Sequence, residues 1–144
     1  MDTESKNSVK IRAKTTSSVI SNVVSLAGRN VMQIEIGSDE NKSIKPIDGE
    51  NLATAAKIAN DQGIPIVCFV ESSGADILEG VAAVHGWGVA AREFVRCSGK
   101  VPIIFCVTGA TVSGPALLLG LADFVIMVDD SYAFVSGPRM AEMF

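Results

Sequence analysis

Two apolar runs, residues 64–70 and 101–107, constrain the fold of this chain more than anything else in it. Both are of strand length and rich in β-branched and aromatic residues. Neither has the polar alternation of a half-solvated strand, so each reads as a strand buried on both faces. Strands of that kind belong to mostly parallel sheets covered by helices. Each run ends in small residues, Glu71-Ser72-Ser73-Gly74-Ala75 after the first and Thr108 to Gly114 after the second.

The segments around these runs agree. Val31 to Ile36 alternates apolar with polar and predicts a strand, followed by a loop to Ile47. Asp48 is a good N-cap, and Leu52, Ala55, Ala56 and Ala59 recur at helical spacing until Gly63 and Pro65. A second helix is expected over 79–97, with Val81, Val84, Gly88, Ala91 and Val95 on its packed face. Pro115 opens a short apolar helix. Residues 124–128 and 132–135 predict two further strands. The order strand, helix, strand, helix, strand, helix, strand argues an α/β domain, and periodicity alone does not separate a doubly wound sheet from a crotonase-like spiral. Residues 1–30, rich in Ser, Thr, Asn and Lys, read as a weakly structured lead-in or a peripheral element, with the core beginning after them.

Composition narrows the function classes. With 144 residues, 48% of them hydrophobic, one core is expected. The net charge is −4 and the twelve Lys and Arg are scattered, so no basic stripe offers itself to nucleic acid. No apolar stretch approaches the roughly 20 residues of a membrane-spanning helix. The polar N-terminus lacks a secretory signal, which makes the cytoplasm the expected compartment. Cys68, Cys97 and Cys106 have no Cys-x-x-Cys spacing and read as buried thiols, so neither a disulfide framework nor a metal site is expected.

The two small-residue loops are the places where backbone N–H groups could converge on an anionic oxygen. Close helix packing would favour the same residues. Ser113 is a poor match to a nucleophile elbow, because Thr111 and Pro115 stand where glycines are needed. The one histidine, His85, falls inside the second helix, where packing or a surface hydrogen bond accounts for it better than a catalytic pair with Ser113. Glu71, Asp76, Glu79 and Asp129-Asp130 occupy turns and helix starts, which favour acids for structural reasons. No phosphate-binding glycine loop is present.

At these loops the chain resembles the carboxyltransferase subunits of biotin-dependent acyl-CoA carboxylases and their decarboxylase relatives. The first motif of that family, Asp-Ser-Gly-Gly-Ala-Arg-x-x-Glu-Gly, is similar to Glu71-Ser72-Ser73-Gly74-Ala75-Asp76-Ile77-Leu78-Glu79-Gly80. The second, Gly-Pro-x-Ala-Gly-Gly-Ala with Asp-Phe shortly after, is similar to Gly109 to Pro115 with Asp123-Phe124. The third, Phe-x-x-Gly-Pro, is matched by Phe134 to Pro138.

The resemblance covers about 31–144 and implies a truncated crotonase-like (ClpP/crotonase) ββα-spiral domain, of which this chain holds part of the N-terminal, acyl-CoA-binding half. It implies transfer of a carboxyl group between carboxybiotin and an acyl-CoA through an enolate. A crotonase-fold decarboxylase, or a non-catalytic CoA-binding or subunit-contact fragment, is the alternative. Carried over by position, backbone N–H groups of Ser113 and Gly114 would form the oxyanion hole, and Ser73, Gly74 and Ala75 would bind the CoA thioester. Biotin would arrive on a separate carrier protein or biotin carboxylase subunit, and a carboxyltransferase C-terminal half would complete an oligomer. Asp76 stands in place of the family's Arg, and Ser73 and Ser113 each stand in place of a Gly.

Overall fold

In this computed structural model, residues 9–11, 17–38, 42–136 and 142–143 are described. Strands β1 (Val9–Ile11), β2 (Val19–Leu26) and β3 (Arg29–Ile36) form an antiparallel meander. A short β4 (Ser43–Ile44) precedes helix α1 (Pro46–Gln62). Then come β5 (Ile66–Ser72), a two-residue β6 (Gly74–Ala75), a 3-10 turn (Ile77–Glu79) and helix α2 (Val81–Cys97). Strand β7 (Ile103–Val112) leads into α3 (Gly114–Leu118), a second 3-10 turn (Leu119–Leu121), β8 (Phe124–Met127) and β9 (Tyr132–Phe134).

The main sheet runs β1-β2-β3-β5-β7-β8, with β9 also on β7, and every pairing from β3 onward is parallel. Ile34, Cys68 and Phe105 lie side by side in register and are fully buried beneath α1 and α2. Phe94 of α2 meets Phe105 at a ring-centroid distance of 5.8 Å. Burying one such side chain contributes about 1.5–3 kcal/mol, so this layer is the main apolar contribution to stability. Among the described residues, no helix is long and apolar enough to cross a membrane.

Three expectations need correction. Residues 19–30 are not a weak lead-in: Val19 is part of the core, and β2 pairs with β3 along its whole length. Val19, Ser21 and Val23 carry a period of two that the polar Ser21 on the inner face and the apolar Ile20 on the outer face obscure. Asp48 is not the N-cap of α1. The cap is Lys45 with Pro46 behind it, and Asp48 stands three residues past the cap. Finally, α2 buries Ala83, Gly86, Trp87, Ala90, Phe94 and Cys97, while Val81, Val84 and Val95 are exposed. Both stripes are apolar at helical spacing. The small one faces α1 because Gly49 and Gly86 bring the two backbones into contact, a Cβ on Gly49 standing only 2.3 Å from the Gly86 carbonyl oxygen. Residues 139–144 read in the sequence as the start of a helix, and they fall largely outside the described residues.

Asp48 is fully buried and accepts from the Ser17 hydroxyl at 2.6 Å, the Ser18 N–H at 2.7 Å and the Lys45 N–H at 2.8 Å. One carboxylate thus ties the entry of β2 to the first turn of α1. Asp48→Ala leaves two backbone donors unpaired, each at a cost of about 1–3 kcal/mol. The variant should lose about 3 kcal/mol in urea unfolding, and a loss below ~1 kcal/mol would refute this role.

Candidate functional site

Strand β7 outruns the sequence expectation. Residues 109–112, expected in a loop, continue the strand because β7 changes partners. Ile104 to Val107 pair with β8, and Ala110 to Val112 pair with β9. At the change, the hydroxyls of Thr108 and Thr111 donate to the Val70 carbonyl at 3.2 and 3.3 Å, covering the register shift between β5 and β7. The turn into α3 is therefore compressed into Ser113, which has φ 66° and ψ −130°. That conformation is costly for any residue with a Cβ.

The first loop is pinned from the other side. The Ser72 hydroxyl donates to the Lys42 carbonyl at 2.8 Å and accepts the Gly74 N–H at 3.1 Å. The Ser73 N–H donates to Lys42 at 2.9 Å, and the Asp76 N–H to Ile44 at 2.9 Å. Because Ile44 bonds to the residue beyond its ladder partner, that partner, Ala75, turns its own N–H away from β4. The two loops then touch: a Cβ on Gly74 would lie 3.1 Å from the Ser113 Cβ.

These bonds revise the expected donors. The Ser113 N–H donates to the Phe134 carbonyl at 2.9 Å, so its hydrogen is used inside the fold. Those of Ser73 and Gly74 are similarly committed. Gly114 opens α3, where no intrahelical acceptor precedes it. Gly114 and Ala75 are therefore the members of the expected set whose N–H groups are not taken up by the hydrogen bonds that fix the two loops. His85 lies on the exposed side of α2.

The acids of the motifs have structural work. Asp76 accepts the Leu78 N–H at 3.0 Å and caps the 3-10 turn. Asp123 accepts the Ile103 N–H at 2.8 Å and returns its own N–H to Ile103 at the same distance, fixing the start of β7. Glu71 pairs with Lys42 and packs its side chain over Gly109. Burial, with the neighbouring Cys106 second, holds the Cys68 thiol well above its usual range, which leaves it protonated and inert.

Trp87 is the residue the sequence reading missed. A Cβ on Gly114 would stand 2.6 Å from two carbons of the indole, so α2 presses its ring directly under the second loop. The signal available was a lone Trp one turn from the small-residue stripe of a helix.

The model of the carboxyl transferase domain matches residues 4–144. The chain belongs to that family. As a carboxyl transferase domain it is 39% identical over 93 residues to a propionyl-CoA carboxylase beta chain of Rhodococcus erythropolis, covering 64% of this chain and 20% of the relative. It is 36% identical over 88 residues to the biotin-dependent acetyl-/propionyl-coenzyme A carboxylase beta6 subunit of Mycobacterium tuberculosis, covering 61% of this chain and 19% of the relative. The chain thus spans about a fifth of the length of these curated relatives. The transcarboxylase 12S crystal structure, a hexamer with methylmalonyl-coenzyme A bound, superposes with a TM-score of 0.87 at 23% identity, over 96% of this chain and 30% of that one. The domain has the crotonase-like α/β fold of that protein.

Two substitutions test the geometry of the turn. Gly114→Ala should cost about 1–3 kcal/mol by overpacking, and the penalty should shrink to within ~0.5 kcal/mol of zero in a Trp87→Leu background. Ser113→Gly should instead stabilise by about 1 kcal/mol by relieving the turn. Thermal and urea unfolding read both, and destabilisation by Ser113→Gly would overturn the account of the strain.

Proposed function

We propose that this chain supplies the acyl-CoA-binding half of a carboxyltransferase that moves a carboxyl group between carboxybiotin and the α-carbon of an acyl-CoA. The observation that carries this reading is the meeting of the two loops at Gly74 and Ser113, with the Gly114 N–H left at the start of α3. A thioester oxygen placed there would accept from Gly114 and from Ala75. Loss of the α-proton or of the α-carboxylate turns the thioester into an enolate, and its oxygen gains charge. Fixed backbone donors then contribute more to the transition state than to the ground state, on the order of 2.7–4 kcal/mol each. No side-chain nucleophile is needed.

The names of the relatives support the substrate class, and one of them the dependence on biotin. In this reading carboxybiotin is a co-substrate delivered on a separate carrier protein. The surface supports a large protein partner. Both faces of β8 are open, with Phe124, Val125, Ile126 and Met127 all exposed, and Tyr132 and Phe134 extend the patch. A parallel sheet is normally covered on both faces, so this side suits the remainder of a carboxyltransferase subunit and, through it, an oligomer.

The reading predicts a specific chemical-shift pattern. Titration of the isotopically labelled chain with propionyl-CoA carrying a labelled thioester carbon should move the Gly114 and Ala75 amide resonances and shift the carbonyl downfield. Saturable binding that leaves the Gly114 amide unmoved would exclude this oxyanion site. Transfer should require addition of a family C-terminal half, and robust transfer by the monomeric chain alone would refute the division of labour.

A further inference from the structure

The outward stripe of α2 does not face empty solvent along its whole length. Val84, Ala91 and Val95 stand opposite Leu117 and Leu121, and between them runs an apolar groove of about 410 Å³. Trp87 and Gly114 are part of its lining. The groove therefore includes the residue whose N–H is assigned to the thioester oxygen. Its second mark is polar: Trp87 is nine-tenths buried, and its Nε1 has no hydrogen-bond partner among the described residues. That nitrogen lies 2.8 Å from where a Cβ on Gly114 would stand. A buried donor left unpaired is costly, and this one lies against the Gly114 backbone.

We propose that this groove takes the hydrocarbon of a medium-chain acyl thioester, making the chain selective for acyl groups longer than propionyl. This rests on the acyl-CoA reading above and adds the chain length to it. Three features separate the groove from the open face of β8, which suits a protein partner. It is concave, its lining is almost wholly apolar, and Gly114 is part of that lining. Its volume falls within the range that encloses a drug-sized ligand, far more than a propionyl group fills. At Gly88 the groove is open, since a Cβ at that position would meet nothing within 4 Å.

Trp87 is the single tryptophan of the chain, so its fluorescence reports on this groove and on the Gly114 turn above it. The 144-residue chain would be titrated with CoA, propionyl-CoA, hexanoyl-CoA, octanoyl-CoA and decanoyl-CoA below their micelle concentrations, with calorimetry in parallel. Each added methylene should tighten binding about fourfold until the groove is full, with a growing change in Trp87 emission. Gly88→Phe fills the groove and should bring octanoyl-CoA and decanoyl-CoA down to the affinity of propionyl-CoA. Leu117→Glu should do the same by placing a charge in its wall. Equal binding of all chain lengths with a silent Trp87 would overturn the groove while leaving the acyl-CoA reading intact. Failure of CoA and every thioester to bind would overturn the acyl-CoA reading itself. A wild-type dimer in sedimentation that Leu117→Glu makes monomeric, with no dependence on chain length, would make the groove a contact between copies and refute the proposal.

Discussion

The contact between Gly49 and Gly86 governs the rest of the architecture. With backbone against backbone at that point, α1 and α2 cannot rotate independently about their axes. Gly86 also lies against the Pro46 backbone, so the first turn of α1 is part of the same contact. Fixing the rotation of α2 directs Phe94 and Ala90 onto the sheet and Trp87 toward the second loop, and it turns the valine stripe outward. The packed core and the groove beside Gly114 are thus two sides of one helix orientation. The buried Asp48 carboxylate holds this same first turn of α1 by gathering the entry of β2 and the Lys45 turn.

The second governing feature is the change of partners along β7. A strand that pairs with β8 over its first half and with β9 over its second must bend, and the bend is completed at Ser113. This ties the third sequence motif to the second. The Phe134 carbonyl is the acceptor that takes the Ser113 N–H, so β9 determines which donors of the loop stay available. Sequence proximity would have grouped Ser113 with Gly114 as equals. The hydrogen-bond inventory separates them.

What was legible in the sequence follows a physical rule. The strands of the central sheet were visible because burial on both faces removes polar alternation, as in residues 64–70 and 101–107. Strand β2 was hidden because one of its faces is less buried and its Ser and Asn residues mimic a loop. The pattern of α2 favours its outer face because valines carry more hydrophobic signal than Ala83, Gly86 and Ala90. Close packing of helices nonetheless rewards the smaller residues. The loops of the site could be found from their small residues and their resemblance to a family. The state of each N–H could not, since it depends on Lys42 and Phe134, which are distant in sequence from the donors they engage.

A site made of backbone groups also explains how this chain can depart from its family at the motif side chains. In the oxyanion reading, selection acts on backbone path and on the room above it. Ser73 and Ser113 stand in place of glycines, yet each keeps an N–H, and both N–H groups serve the scaffold. Asp76 stands in place of an arginine and uses its carboxylate to cap the turn that follows the first loop. At Gly114 no such exchange is open, because the indole of Trp87 fills the space a Cβ needs. The loop is held by its hydrogen bonds on one side and by an aromatic ring on the other: Ser113 bears its Cβ at the cost of a left-handed backbone, whereas at Gly114 the ring leaves no room for one.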